Sequence, residues 1–127
     1  MTNKFVIPGK LPSLNDYTLA CRDNRYKGGR MKAELDEQIG WSIIKAKREG
    51  TLHAVKMPVT VHFVWHEGTK RRDADNIAFA KKFVLDALVK GGILIDDSRR
   101  YVVGFTDTII DDKTDFVEVE INEITVL

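Results

Sequence analysis

The sequence predicts an α+β fold: a single domain with a small mixed sheet, a C-terminal antiparallel hairpin and two helices, in the order β-α-β-α-β-β. Two observations lead to this prediction. Segments in which apolar residues alternate are separated by segments in which they recur at helical spacing. The chain also has 127 residues, 43% of them hydrophobic, which is enough for one core and too few for two ordinary domains. We therefore treat residues 1–127 as one domain.

The first half of the chain predicts a strand, a loop and a helix. Residues 4–7 form a short apolar run that is ended by a Pro-Gly pair. Residues 10–30 contain proline, a glycine pair and several Asn and Asp residues, which are typical of a loop. Residues 31–48 carry apolar side chains at helical spacing, and Gly50 follows them as a stop. The first helix is therefore expected between the loop and Gly50.

The second half predicts three strands and one further helix. Residues 59–65 alternate strongly, so the odd-numbered side chains of this strand share one face. Residues 75–90 predict the second helix, which Gly91-Gly92 closes at the position that helix C-caps favour. Residues 101–110 and 116–126 predict two strands, and residues 111–114 between them are typical of a turn. We expect these last two strands to pair as an antiparallel hairpin.

Charge is unevenly distributed along the chain, although the net charge is only +1. Residues 1–100 carry 19 Lys and Arg against 12 Asp and Glu, whereas residues 101–127 carry one against seven. This distribution suits a surface that binds a polyanion. No apolar run approaches the ~20 residues of a membrane span, and no secretion signal is evident. We therefore expect a cytoplasmic protein without a membrane partner, and the single Cys21 excludes an internal disulfide and a cysteine-rich zinc site.

Four aspartates lie in two short segments. Asp73 and Asp75 follow three basic residues, and Asp96 and Asp97 lie in the second segment, with Asp97 22 residues after Asp75. If the segments meet, their charges repel, by about 4 kcal/mol for two charges 4 Å apart at an effective dielectric of 20. A hard cation such as Mg²⁺ or Mn²⁺ would relieve this repulsion. Each segment also has a purely structural explanation, as a helix N-cap or as a turn.

A lysine lies on the same side of the second helix as these carboxylates. In a continuous helix Asp75, Lys82 and Asp86 fall within about 20° of a common direction, whereas Lys81 points about 100° away from Lys82. Lys82 is therefore better aimed at a site around Asp75. An i,i+4 pair between Lys82 and Asp86, worth a few tenths of a kcal/mol, explains the same spacing. The geometry leaves both explanations open.

Several motifs occur in an order that is specific to one family. They are Arg72-Asp73-Ala74-Asp75-Asn76, Leu85-Asp86-Ala87-Leu88, Gly92-Ile93-Leu94 and Asp96-Asp97-Ser98. In that order they resemble the RusA family of Holliday junction resolvases, whose pattern reads R-D-x-D-N, a lysine, D-A-L, G and D-D-S/N/E. Residues 8–17 are similar to that family's P-x-S-x-N-x-Y entry segment. The resemblance implies a small homodimeric endonuclease that resolves four-way DNA junctions in a metal-dependent reaction, and whose members are often encoded by phages and prophages.

The resemblance also implies the acidic residues of the site. The family's essential acidic positions fall on Asp73, Asp75 and Asp97, with Asp96 beside them. We expect Asp75 and Asp97 to ligate Mg²⁺ or Mn²⁺ directly, and Asp73 and Asp96 either to ligate the ion or to support its ligands. No small-molecule cofactor is expected.

The family's catalytic lysine is harder to place. The segment between Asn76 and Asp86 is three residues longer here than in the shorter family pattern. Counting back from Asp-Ala-Leu selects Lys82, whereas counting forward from Asp75 selects Phe79, which carries no charge. We choose Lys82 and keep Lys81 open.

The expected partner is branched DNA, in particular a four-way junction. The predicted DNA contacts are Asn15, Tyr17, Arg22, Arg25, Lys27, Arg30, Lys70, Arg71 and Arg72. Two other functions stay possible: another magnesium-dependent enzyme of phosphoryl transfer, such as a nuclease for flaps or splayed arms or a phosphatase, and a non-catalytic DNA-binding module. In the second, the aspartates only cap a helix and close a turn. A bacterial host and a phage or prophage origin are expected from the resemblance.

Overall fold

Four strands form one mixed sheet in the computed structural model, which describes residues 3–69 and 72–124 and only the backbone of Arg25. The strands are β1 (Lys4–Pro8), β2 (Val59–Glu67), β3 (Val102–Asp111) and β4 (Phe116–Glu123). Their order across the sheet is β1-β4-β2-β3. Strand β2 pairs with β3 in parallel and with β4 antiparallel, and β4 pairs antiparallel with β1. The predicted mixed sheet is confirmed.

Four helices complete the described part of the chain. They are α1 (Leu14–Asp23), α2 (Arg25–Glu49), α3 (Ala74–Ala78) and α4 (Lys81–Lys90), which gives the order β-α-α-β-α-α-β-β. The α+β class is confirmed, with more helix than we predicted. Within the described residues, no helix is long and apolar enough to cross a membrane.

The predicted C-terminal hairpin is wrong. Both strands exist, but β2 lies between them and pairs with each. The helical connection from β2 brings β3 in parallel to β2, as a crossover connection requires. The short turn after β3 then passes the end of β2. Its four residues are long enough to span the ~10 Å between strands two places apart. Strand β4 therefore pairs with β2 on the side opposite to β3.

The predicted loop at residues 10–30 is also wrong, because most of it is helical. Helix α1 begins with a capping box: the Ser13 hydroxyl accepts the Asp16 N–H, and the Asp16 carboxylate accepts the Ser13 N–H. The Asn24 side chain caps α2 by accepting the Tyr26 N–H. Gly28 lies inside α2, where an added Cβ would lie 2.5 Å from Cys21 Sγ. This glycine therefore permits the close approach of α1 and α2 and does not mark a turn.

The core lies on the face of the sheet that the helices cover. The odd-numbered residues of β2, from Val59 to Trp65, are at most 1% exposed, as their alternation predicted. From α2 the chain contributes Leu35, Ile39, Ile43 and Ala46, which lie at the helical spacing that we predicted for residues 31–48. This helix ends as predicted at Gly50, which adopts a left-handed conformation with φ +78°. The local patterns thus identified both the buried faces and this helix end.

The second predicted helix is interrupted at residues 79 and 80. The N–H groups of Ala80, Lys82 and Phe83 each donate to the carbonyl three residues earlier, which is the tighter 3₁₀ pattern. The interruption lies within the segment between Asn76 and Asp86, which is three residues longer than in the shorter family pattern. The helix closes as predicted at the glycine pair: Gly92 has φ +77° and Ile93 N–H donates to the Leu88 carbonyl.

Candidate active site

Asp73 and Asp75 lie at the start of α3 with exposed side chains. Asp73 occupies the N-cap position with an extended backbone, but its carboxylate makes no capping hydrogen bond. One oxygen of Asp75 accepts the N–H of Asn76 at 3.0 Å. The structural explanation of this segment therefore does not account for the Asp73 side chain, which remains available to a ligand.

Asn76 shows an unmet polar requirement in the same segment. Its side-chain oxygen is buried and has no hydrogen-bond partner within residues 3–69 and 72–124. A buried oxygen without a partner costs about 1–3 kcal/mol, so such groups usually serve a ligand, an ion or a water molecule. Asp73, Asp75 and Asn76 thus carry oxygen atoms of the kind that Mg²⁺ and Mn²⁺ prefer as ligands.

Arg72 anchors the chain immediately before Asp73. Its Nε and Nη2 donate to the two carboxylate oxygens of Glu67 at 2.9 and 3.0 Å, and its Nη1 donates to the Leu11 carbonyl at 2.9 Å. The side chains of Arg72 and Glu67 are only 12% and 5% exposed. A guanidinium that we expected to contact DNA is therefore engaged by the protein itself, where it ties the start of α3 to the end of β2.

The second acidic segment lies in the loop between α4 and β3. Asp96 and Asp97 are exposed, and one oxygen of Asp96 accepts the Asp97 N–H at 2.9 Å. The next residue, Ser98, accepts the N–H groups of Tyr101 and Val102 through its carbonyl. These bonds hold Asp97 beside the first residue of β3.

The parallel pairing of β2 and β3 separates the two acidic segments within one chain. Asp73 comes six residues after Glu67, the last residue of β2, whereas Asp97 comes five residues before Val102, the first residue of β3, which pairs with Val59 at the opposite end of β2. Eight residue steps of β2 lie between these ends, or about 26 Å. Within the part of the chain that the structure describes, no three acidic, histidine or cysteine side chains are grouped to hold a metal ion. One chain therefore places Asp97 near the end of β2 opposite to the end from which the chain continues to Asp73 and Asp75.

The two candidate lysines have different surroundings. Lys81 is bound to Asp107, with 2.5 Å between Nζ and Oδ2, and lies over the Phe105 ring. Lys82 is exposed and makes no ion pair with any described residue; it lines a cavity beside Tyr17 and Phe79. Lys82 has the freedom to reach a bound phosphate, whereas Lys81 is committed to a structural pair.

The remaining predicted DNA contacts fall mainly on α1 and the start of α2. Arg22 and Arg30 are exposed, and Lys27 forms an exposed pair with Asp23 at 3.5 Å. Asn15 is exposed in the first turn of α1, and Tyr17 is half-buried against two phenylalanines. Lys70, Arg71 and the Arg25 side chain lie outside the described residues. Lys32, a further basic residue of the first 100, lines the same cavity as Lys82.

Comparison with known proteins adds one match. The family model described as endodeoxyribonuclease RusA matches residues 19–122 of the chain. The matched range includes both acidic segments and both candidate lysines. No individual curated protein matches the chain.

Proposed function

Because the chain belongs to the RusA family of endodeoxyribonucleases, we propose that it resolves four-way (Holliday) junctions by paired, metal-dependent hydrolysis of phosphodiester bonds. The observation that carries this proposal concerns the side chain of Asp73. Its carboxylate is exposed at the start of α3 and is not used for capping, although it occupies the capping position. A module that only bound DNA would give no reason for an uncommitted carboxylate beside Asp75.

We propose that Asp73, Asp75 and Asp97 hold Mg²⁺ or Mn²⁺, with Asp96 supporting Asp97. When bound, the metal supplies polarisation of the scissile phosphate and acidification of a water molecule. Arg72 positions Asp73 through its pair with Glu67. Lys82 contributes an ammonium group that stabilises negative charge developing on the phosphate. The side-chain oxygen of Asn76, which has no partner among the described residues, is proposed to accept a hydrogen bond from a water molecule or to ligate the metal.

Two copies of the chain are required in this proposal. One site cuts one strand, whereas resolution needs two opposed cuts, which a two-fold symmetric dimer can place. The same symmetry offers an answer to the separation of Asp75 and Asp97. In an isologous dimer the two ends of the β2–β3 pair can meet across the axis, because each copy presents both ends. We propose that each site combines Asp73 and Asp75 of one copy with Asp97 of the second.

The basic residues of α1 and α2 are proposed as the surface that holds the junction arms. Arg22 and Arg30 are exposed. Positively charged side chains on one face bind DNA phosphates without regard to sequence, which suits a substrate recognised by its shape. Lys70, Arg71, Arg25 and Lys27 are also proposed to contact DNA phosphates.

The test is a cleavage assay with end-labelled synthetic DNA: a four-way junction, a flap, a splayed arm and a linear duplex, each with Mg²⁺, with Mn²⁺ and with EDTA. We expect two symmetric cuts in opposed strands of the junction, with either metal and not with EDTA. Preferred cutting of the flap or splayed arm would favour another branched-DNA nuclease. Binding of the junction without any cutting would favour a non-catalytic module.

A further inference from the structure

A cavity separate from the acidic segments opens between α1, α2 and the turn that joins α3 to α4. Its volume is about 470 Å³, within the range of about 300–1,000 Å³ typical of small-molecule sites. Tyr17 and Thr18 of α1, Lys32 of α2 and Phe79 of the turn line it. Lys82 also lines this cavity. We assign this residue a role at the scissile phosphate, so the cavity adjoins the proposed site of cleavage.

Three aromatic rings form one wall of the cavity. Tyr17 lies 6.0 Å from Phe79 and 5.4 Å from Phe83, and these phenylalanine rings are 5.6 Å apart, all between ring centroids. Phe83 is 2% exposed and belongs to the core. Tyr17 and Phe79 are only half-buried, so part of each ring remains accessible from the cavity. An apolar, planar group could therefore pack against them.

Three cations surround these rings. Arg22, Lys32 and Lys82 line the cavity, are exposed, and form no ion pair with the described residues. Neighbouring lysines behave differently, since Lys81 and Lys90 are bound to Asp107 and Asp36. Among the described residues no carboxylate lines the cavity. The arrangement thus offers an aromatic wall and unneutralised positive charge to a single ligand.

From this combination we propose that the cavity binds one unpaired nucleotide of the branched DNA. The base packs against Tyr17 and Phe79, and its phosphates lie among the three cations. Aromatic side chains accept any base by stacking, and basic side chains hold the backbone, which is how single-stranded DNA is commonly bound. Because Lys82 is shared, the captured nucleotide flanks the phosphodiester that is cut. This inference rests on the proposed function and extends it from the reaction to how the substrate is held.

The cost of removing a base from its stack is lowest where pairing is already disturbed. Base pairs at the crossover of a junction lack the continuous stack of a linear duplex. The cavity therefore selects a junction or another branched substrate over a duplex, without any contact that reads sequence.

The test is a double-substitution cycle between a protein ring and a DNA base. Dissociation constants are measured in EDTA for wild type and the Phe79→Leu variant, with the intact junction and with junctions that carry one abasic site at each crossover nucleotide. We expect Phe79→Leu to weaken binding of the intact junction by roughly 5-fold to 100-fold, the contribution of one stacked base. We expect the abasic site that flanks the cut to weaken wild type similarly and to have little further effect on the variant.

Three controls keep the result interpretable. Tyr17→Leu removes the second ring, which α1 contributes, and should reproduce the cycle, so a folding defect of either variant does not decide the outcome. Phe116→Leu makes the same substitution in β4, away from the cavity, and should leave both dissociation constants unchanged. Thermal unfolding checks that each variant is folded at the assay temperature.

Additive effects of ring and base at every crossover position would overturn the inference. If wild type still makes paired cuts in the junction, that result leaves the proposed function standing. If wild type neither binds nor cuts the junction, the proposed function and the inference fail together.

Discussion

The Lys81 ammonium lies 2.5 Å from Asp107 Oδ2, and the other oxygen of Asp107 accepts the indole N–H of Trp65 at 3.0 Å. Trp65 is buried in the core, so this carboxylate links the start of α4 to the centre of the sheet. Lys81 therefore has a structural task that Lys82 lacks. The motif left both lysines open, and this relationship favours Lys82 as the catalytic lysine.

Replacing each lysine by methionine should separate these tasks. Lys82→Met should lower the cleavage rate by about 100-fold or more while leaving the free energy of unfolding nearly unchanged, because an exposed charge near the phosphate is lost. Lys81→Met should instead lower the free energy of unfolding by about 1 kcal/mol and retain cleavage, because a half-buried pair is lost. Urea unfolding and single-turnover cleavage measure the two effects. The opposite assignment of effects would make Lys81 the catalytic lysine.

Asp97→Asn should abolish cleavage and preserve binding of the junction. The substitution keeps the size of the side chain but removes the charge that a hard cation requires. Gel-shift titration in EDTA and cleavage in Mg²⁺ are the two measurements. Asp23→Asn, the same substitution in the exposed pair with Lys27, should retain cleavage. Cleavage by a folded Asp97→Asn protein would remove this residue from the site.

Gly28→Ala should destabilise the packing of α1 against α2. An added Cβ would lie 2.5 Å from Cys21 Sγ, so the helices must move apart. Overpacking costs about 1–3 kcal/mol, and the better helix propensity of alanine returns about 0.5–1 kcal/mol. We expect a net loss of about 1–2 kcal/mol in the free energy of unfolding, which urea unfolding measures.

Two controls accompany the glycine substitution. Gly29→Ala has no atom within 4 Å of the new Cβ and should be neutral or stabilising. Combining Gly28→Ala with Cys21→Ala removes the clashing sulfur and should recover most of the loss. A destabilisation that the second substitution leaves unchanged would mean that the contact with Cys21 is not its cause.

Asp112 should make stability depend on pH in the acid range. The Lys113 N–H and the His66 ring both bond its carboxylate, and these bonds hold the pKa of Asp112 below its usual value. A carboxyl group whose pKa is lower in the folded state stabilises the protein at pH values above its unfolded pKa of about 3.9. This stabilisation is lost as the pH falls through the folded-state pKa. Asp112→Asn should therefore lower the melting temperature at neutral pH, and the difference should shrink as the pH falls below about 4. A difference that is constant with pH would contradict this account.

The elements that could be predicted were those encoded by local patterns. Alternation in β2 and helical spacing in α2 each describe a buried face, and a face is a property of one segment. The partners of β2 are not a local property, which is why β3 and β4 were mistaken for a hairpin. Gly28 was mistaken for part of a loop for the same reason. It permits a close contact with Cys21 on another helix, and no pattern within α2 reveals that contact.

The sequence named candidate residues for the site, but not where the fold places them. The spacing of the aspartates and the family motif named Asp73, Asp75 and Asp97. Their separation depends on the direction in which β3 runs beside β2, which the motif does not encode. Likewise, Arg72 belongs to a basic run, so its charge indicated DNA, whereas the structure gives it Glu67 as a partner.

The central claim is that acidic segments from two copies of the chain form one metal site. Mixing the inactive Asp75→Asn and Asp97→Asn proteins under conditions that exchange subunits tests it directly. In a mixed dimer, a shared site would combine the intact Asp75 of one variant with the intact Asp97 of the other. We expect the mixture to recover cleavage of one junction strand, measured as magnesium-dependent nicking, while neither variant cuts alone. If the mixture stays inactive after mass spectrometry shows that mixed dimers have formed, the shared site is contradicted.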